Sequence, residues 1–276
     1  MRIDIWSDVI CPFCWIGKRH LEQALEEFRT DHPDFDVEVM WRAFQLDPNA
    51  PTTAVETTPE MLARKYSMPL EAAEEAQEEM ARKFASVGLE FNWREAKPCN
   101  TFDAHRLAMM AADRGHDDAI DEALKKAHFT DGLEISDHGV LRGVGESIGL
   151  PGEEVAAMLA SDDFALEVRH DITMAEGLGI SGVPFFVFDG KFAVNGAQPV
   201  DVFRQALSTA WEEANKGLTT INATAATGST GPTGADGTAA DSAASDASGA
   251  DAGESDSAAT DDAADGPDCS DGSCSV

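Results

Sequence analysis

The sequence predicts an α/β fold with a long helical interruption and a disordered acidic tail, and three observations carry that prediction. Apolar runs at residues 2–6, 37–41 and 184–195 have strand character. The roughly 140 residues between the second and third runs carry only helix-period patterns. From Asn222 to Ser275 there is not one Val, Leu, Ile, Met, Phe, Trp or Tyr, so that stretch cannot bury enough apolar surface to offset its ordering entropy.

Each element has its own signal. Arg2-Ile3-Asp4-Ile5-Trp6 alternates polar and apolar, as a half-buried strand does. After a loop at Ser7–Ile10, the residues Ile16, Leu21, Ala24, Leu25 and Phe28 follow an amphipathic helical pattern that ends before Pro33. Val37–Trp41 supplies a second strand, so the first 43 residues open a βαβ unit. Helix starts then recur: Thr58 as a cap with Pro59 at the first helical position, an Ala/Glu/Met-rich run over Leu70–Val87, and Ala104, Leu107, Ala108 and Ala111 after Thr101. Asp137 precedes Val140, Leu141 and Val144, and Ser161 with Asp162 and Asp163 opens a helix bearing Phe164, Val168 and Ile172. Pro184–Phe188 and Lys191–Asn195, joined by Asp189-Gly190, signal a hairpin with a type I′ turn. A last helix, about Pro199 to Asn215, places Val202, Phe203, Ala206, Leu207, Ala210 and Trp211 on one face.

Charge narrows the partners. The chain holds 51 acids against 20 bases, and residues 217–276 carry eleven of the acids and no Lys or Arg, leaving about −20 on the rest. A field of that sign repels phosphate backbones and anionic lipid, which argues against nucleic acid and membrane surfaces. It suits a halophile-like, high-salt cytoplasm, where screening makes such charge tolerable. Stability is therefore expected to rise with salt, checked by melting temperature between about 0.05 and about 3 M KCl; an unchanged value would count against it. No apolar run reaches the roughly 18 residues of a bilayer span, and no signal peptide precedes the first strand. The expected compartment is the cytoplasm, where cysteines serve redox chemistry, metals or packing more often than structural disulfides.

Cys11-Pro12-Phe13-Cys14 falls where the first loop meets the first helix. A thiol there faces unsatisfied N–H groups and the positive helix end, both of which favour thiolate. Cys14, one turn on, lies on the same face within disulfide reach. Cys11 is therefore the candidate nucleophile and Cys14 the resolving thiol. Two structural cysteines or half of a zinc site are the competing readings, and zinc would need two further ligands. Asp8 nearby opposes the helix end, and Phe13 adds no charge.

Cys99 reads as a small buried hydrophobe, Asn100 as a helix cap, and Trp15 as a packing aromatic. Cys269 and Cys274 are different: a tail without bulky apolar residues has no packing use for two of the chain's five cysteines. Their spacing lets them close on each other as a possible second redox pair, with metal binding or accident as the alternatives. As a Gly/Ser-like coil, the 53-residue step from Lys216 to Cys269 spans about 40 Å, enough to bring the pair to Cys11.

The segment Ser7-Asp8-Val9-Ile10-Cys11-Pro12-Phe13-Cys14-Trp15-Ile16-Gly17-Lys18-Arg19 resembles the active-site segment of the DsbA-like thioredoxin-fold oxidoreductases, FrnE-type subfamily. Met40-Trp41-Arg42-Ala43-Phe44-Gln45-Leu46, Asn100-Thr101 with Ala104-His105-Arg106-Leu107, Ser181-Gly182-Val183-Pro184-Phe185-Phe186 and Asn195-Gly196-Ala197-Gln198 agree in order. The resemblance implies a thioredoxin-fold domain from residues 1–55 and 178–216, a large all-helical insertion at 56–177, and a disordered acidic tail at 217–276. It also implies a cis bond at Val183-Pro184 that exposes the Val183 backbone to an extended substrate beside Cys11, and a C-terminal cysteine pair as in some FrnE-type proteins. The implied activity is protein dithiol-disulfide oxidoreductase or isomerase, with no cofactor or metal, protein thiols and disulfides as substrates, and a redox recycling partner not identified by sequence. Other enzymes of the fold are isomerases or transferases using a low-molecular-mass thiol, and these usually lack the second CxxC cysteine. A metal-binding protein built on the two Cys pairs is the third reading.

Overall fold

The computed structural model describes the backbone of residues 1–227 and 274–275, and side chains through residue 216. β1 (Arg2–Ser7), α1 (Pro12–Asp31) and β2 (Glu38–Ala43) form the opening unit, with β1 and β2 parallel and Ile3 opposite Val39. The chain then runs through α2 (Thr58–Lys65), α3 (Leu70–Ser86), α4 (Phe102–Ala112), α5 (Asp117–Lys125), a π-helical turn (Lys126–Thr130), α6 (His138–Ser147), α7 (Gly152–Leu159) and α8 (Ala165–Gly177). It returns as β3 (Gly182–Val183), β4 (Phe185–Phe188) and β5 (Phe192–Asn195), followed by α9 (Val200–Thr227). β6 (Cys274–Ser275) lies near the C-terminus. The main sheet has the order β2-β1-β4-β5, with β4 antiparallel to both β1 and β5.

Side-chain alternation explains what covers the sheet. Ile3 and Ile5 share one apolar cluster with Leu21, Leu25 and Phe28 of α1, Phe186 and Phe188 of β4, and Phe203 and Leu207 of α9. Asp4 and Trp6 point the other way: the Asp4 carboxylate accepts from Arg42 at 2.9 Å, and the Trp6 indole N–H donates to the Asp171 carbonyl on α8 at 3.1 Å. Asp171 also takes the Ala43 N–H at 3.1 Å and Arg42 at 3.2 Å, which fastens α8 to β2. A second cluster surrounds the two N-terminal cysteines and a third fills the helical region around Leu107, Ile120, Leu141 and Val155.

Several local expectations change in detail. The hairpin turn has the positive φ at both central residues that type I′ requires, 48° at Asp189 and 67° at Gly190. Thr57, not Thr58, caps α2, because Glu60 three residues on closes a reciprocal capping box with it and moves Pro59 one position inward. Helix α8 begins at Ala165 after Phe164 turns back at φ 62°, later than Ser161. The last helix runs past its expected end near Asn215: α9 continues to Thr227, because extending an existing helix adds a hydrogen bond per residue fixed, and residues 223–226 supply three alanines. The remainder of the expected disordered tail, apart from β6, lies outside the described residues.

Candidate active site

Cys11 is the N-cap of α1 and Pro12 its first residue, where the missing proline N–H has no intrahelical partner to lose. Both cysteines are buried, Cys11 at 0% and Cys14 at 1% exposure, in the cluster with Phe13, Trp15, Phe84, Phe129 and Val183. The Cys11 thiol donates to the Val183 carbonyl at 3.5 Å, and the next peptide, Val183-Pro184, is cis. The four residues Cys11, Cys14, Val183 and Pro184 thus converge from the two ends of the interrupted sheet.

Gly17 makes that convergence possible. A methyl group in place of its hydrogen would come 3.1 Å from Cγ of Pro184, 3.2 Å from the Phe186 ring and 3.4 Å from the Ala197 backbone. Contacts that short are tighter than a Cβ ordinarily makes, so glycine lets α1 lie close to the proline without its neighbours giving way.

The strand before the proline is paired. β6 runs antiparallel to β3, placing Ser275 opposite Gly182 and Cys274 opposite Val183. Cys274 therefore sits at the register position beside the carbonyl that Cys11 contacts. Cys269 lies outside the described residues.

Trp15 is a packing residue: it is 2% exposed, stacks on Phe129 at 5.9 Å, meets Phe84 edge-on at 5.8 Å and donates its N–H to Glu122 at 3.0 Å. Behind it, sequence inspection missed two buried lysines. Lys18 and Lys125 lie 5.3 and 4.8 Å from the Trp41 ring centre, and both pair with Asp121. Burial alone would discharge Lys18, but Asp121, Asp118 and Glu122 outweigh it and hold its ammonium above the usual lysine value. The same lysines offset the burial of Asp121 and hold its carboxyl below the usual range. This network ties α1, directly after Cys14, to α5 of the helical region.

The remaining residues of the motifs are structural. Arg106 is buried and donates to the carbonyls of Met158, Ser161 and Asp163, satisfying the open end of α7. Thr101, not Asn100, is the N-cap of α4; Asn100, one residue earlier, accepts the Phe102 N–H at 2.9 Å and donates to the carbonyls of Pro48 and Ala50, which pins the loop after β2. Cys99 is fully buried, and burial pushes its thiol up, away from the reactive thiolate.

Two buried histidines and an acid were less legible. Asp8 is fully buried and bonds His105 at 3.2 Å, a contact between the loop before Cys11 and α4. His128 is 4% exposed, its Nδ1 has no partner, and burial pushes its imidazole down to about 4 against the opposing charge of Asp8. A histidine in the apolar context Lys126-Ala127-His128-Phe129 gives little sequence signal. A cavity of about 40 Å³ is lined by His105, Ser7, Trp41 and Ile120 among others, and by neither cysteine. Among the described residues no three His, Cys, Asp or Glu side chains converge as a metal site, and no helix is long and apolar enough to cross a membrane.

Comparison with known proteins gives the chain its relatives. The chain is 41% identical to a probable DsbA oxidoreductase from Streptomyces coelicolor, with a TM-score of 0.73 over 77% of this chain and 91% of that one. It is 27% identical over 213 residues to the uncharacterized protein YwbO of Bacillus subtilis, covering 75% of this chain and 96% of that protein. A putative protein disulfide isomerase from Nitrosomonas europaea, at 15% identity and a TM-score of 0.55 over 77% of this chain and 98% of that one, shares the fold. A profile describing the DSBA-like thioredoxin domain matches residues 2–208. This chain belongs to the DSBA-like thioredoxin domain family.

Proposed function

We propose that this protein is a FrnE-type dithiol-disulfide oxidoreductase and isomerase, working in the cytoplasm on protein thiols and disulfides through Cys11 and Cys14. The observation that carries this function is the Cys11 thiol, at the N-cap of α1, against the carbonyl of Val183 beside a cis proline. In the reductive direction the Cys11 thiolate attacks a substrate disulfide, forming a mixed disulfide and expelling one substrate sulfur as a thiolate that takes up a proton. Cys14, deprotonated, then attacks Cys11 Sγ, which releases the second substrate thiolate and leaves the Cys11–Cys14 disulfide. Two electrons have passed to the substrate, and a thiol or dithiol recycling partner must return them. Reversal of the same steps oxidises a substrate dithiol.

The tail pair Cys269/Cys274 acts in this proposal as a second dithiol that exchanges with the first. Support comes from β6, which occupies the β3 edge with Cys274 opposite Val183, where an extended substrate would pair. Tethering raises the effective concentration of the tail thiols to the order of a millimolar, enough to compete with free cellular thiols. Retention of Cys14 favours this chemistry over the low-molecular-mass-thiol enzymes of the fold.

The testing measurement is insulin reduction by purified protein together with the reduction potential of the Cys11/Cys14 couple. A potential near about −270 mV would assign a reductant and one near about −120 mV an oxidant. No exchange with any protein disulfide would overturn the function. For the tail, Cys14→Ser is expected to yield an internal link from Cys11 to Cys269 or Cys274 by mass spectrometry, and removing residues 228–276 to slow turnover. Absence of the link together with unchanged kinetics would remove the tail from the mechanism.

A further inference from the structure

We infer that Asp8 and His105 form a buried positioning pair that sets how readily Cys11 becomes a thiolate. The use of such a pair rests on the oxidoreductase function above; its test does not.

Asp8 joins three parts of the molecule. Its backbone carbonyl accepts the Cys11 N–H at 3.1 Å, one carboxylate oxygen accepts the Leu46 N–H at 2.8 Å, and the other faces Nε2 of His105 at 3.2 Å. Nε2 of His105 is also 2.9 Å from the Phe44 carbonyl, which can only accept, so this nitrogen carries the hydrogen. His105 thus donates toward Asp8 from α4 whatever its charge. Among the described residues no Lys or Arg pairs with Asp8, although its side chain is 0% exposed. A buried carboxylate needs compensation, and here one amide and one imidazole supply it.

The position matters because the Asp8 backbone holds the Cys11 N–H, so its buried carboxylate lies three residues ahead of the reactive thiol and acts on it as a charge through the low-dielectric interior, not through a direct bond. A negative charge there opposes thiolate formation at Cys11, against the favourable helix N-terminus, and His105 attenuates it. Among the described side chains, the other titratable groups near Asp8 and Cys11 are Cys14 on α1, Lys83 of α3 at 5.5 Å from the Phe13 ring, and His128 on the π-helical turn, while Cys274 lies opposite Val183 in register. His128 is held neutral by burial, which leaves His105 as the imidazole that answers Asp8. A pair of this kind gives the fold a control on Cys11 that does not use the two residues between the cysteines.

The test is a pH titration of the Cys11 thiolate by its ultraviolet absorbance in the reduced full chain, taken as the difference from the Cys11→Ser variant. Asp8→Asn keeps an oxygen for Leu46 but removes the charge, so the midpoint is expected to fall by about one pH unit, a tenfold gain in thiolate. His105→Leu removes the N–H that Asp8 accepts and leaves its carboxylate less attenuated, so the midpoint is expected to rise. In the Asp8→Asn background His105→Leu should no longer move it, which separates the pair from mere support. An unchanged midpoint in either folded single variant, or an equal shift from His105→Leu with and without the Asp8 charge, overturns the proposal. Should His105→Leu fail to fold, Asp8→Asn alone decides, and an unchanged or raised midpoint overturns it. Thiolate formation is read without turnover, so an inactive protein with the expected shifts would count against the oxidoreductase function and not against this pair.

Discussion

Cys11→Ser is expected to reduce disulfide exchange by at least about 10³-fold, whereas Cys14→Ser is expected to keep the first attack and accumulate a mixed disulfide. The asymmetry follows from position. Cys11 caps α1 and touches the Val183 carbonyl, so it is placed to meet a sulfur presented along β3, while Cys14 lies inside the helix one turn on. A serine hydroxyl does not ionise in the working range and cannot replace the thiolate as nucleophile or leaving group. Insulin reduction and trapping on immobilised Cys14→Ser protein, resolved by non-reducing gels and peptide mapping, check both halves. Full activity in the Cys11 variant, or trapping through Cys99 in place of Cys11, would contradict the assignment.

Acid is expected to destabilise the fold through His128. Its imidazole has an ordinary value of 6.5 and is pushed down to about 4 by burial, against Asp8. Because the folded value lies below the unfolded one, the unfolded chain binds the proton first as pH falls. The penalty is absent above about pH 6.5, grows as pH falls toward 4 and is complete below it, reaching about 3 kcal/mol. His128→Leu removes both the proton and an unpartnered buried nitrogen. Urea unfolding of the two proteins should therefore show their stability gap moving in favour of the variant by about 2–3 kcal/mol between about pH 7 and about pH 4.5. Asp171 works the other way, since burial raises its carboxyl, but it is common to both proteins and cancels in the gap. A gap that does not change with pH would mean that His128 titrates in the fold as it does in the unfolded chain, and would contradict the burial argument.

Local patterns were sufficient for much of this molecule. The alternation of Arg2–Trp6, the period of α1 and the Asp189-Gly190 pair each encode their structure within a few residues, because side-chain period and turn sterics are local properties. The Cys11–Cys14 spacing after a strand is likewise local, as is the absence of bulky apolar residues from Asn222 to Ser275. α5, α7 and the π-helical turn were not legible, being short segments whose apolar positions make sense only against one another in a shared core. Lys18 and Lys125 look like surface cations in sequence, and burial beside Trp41 depends on acids about 100 residues away in the case of Lys18.

What the sequence by itself determined is the class of strand, helix and redox motif, since each follows from short-range sterics and from the chemistry of a thiol at a helix start. What only the tertiary structure decided is which distant groups gather around that helix start: the Val183 carbonyl at 3.5 Å from the thiol, Pro184 against Gly17, β6 on the edge of β3, and Asp8 bonded to His105. Those contacts join residues separated by tens to hundreds of positions. Their energies arise from burial and desolvation, which no short window of sequence contains.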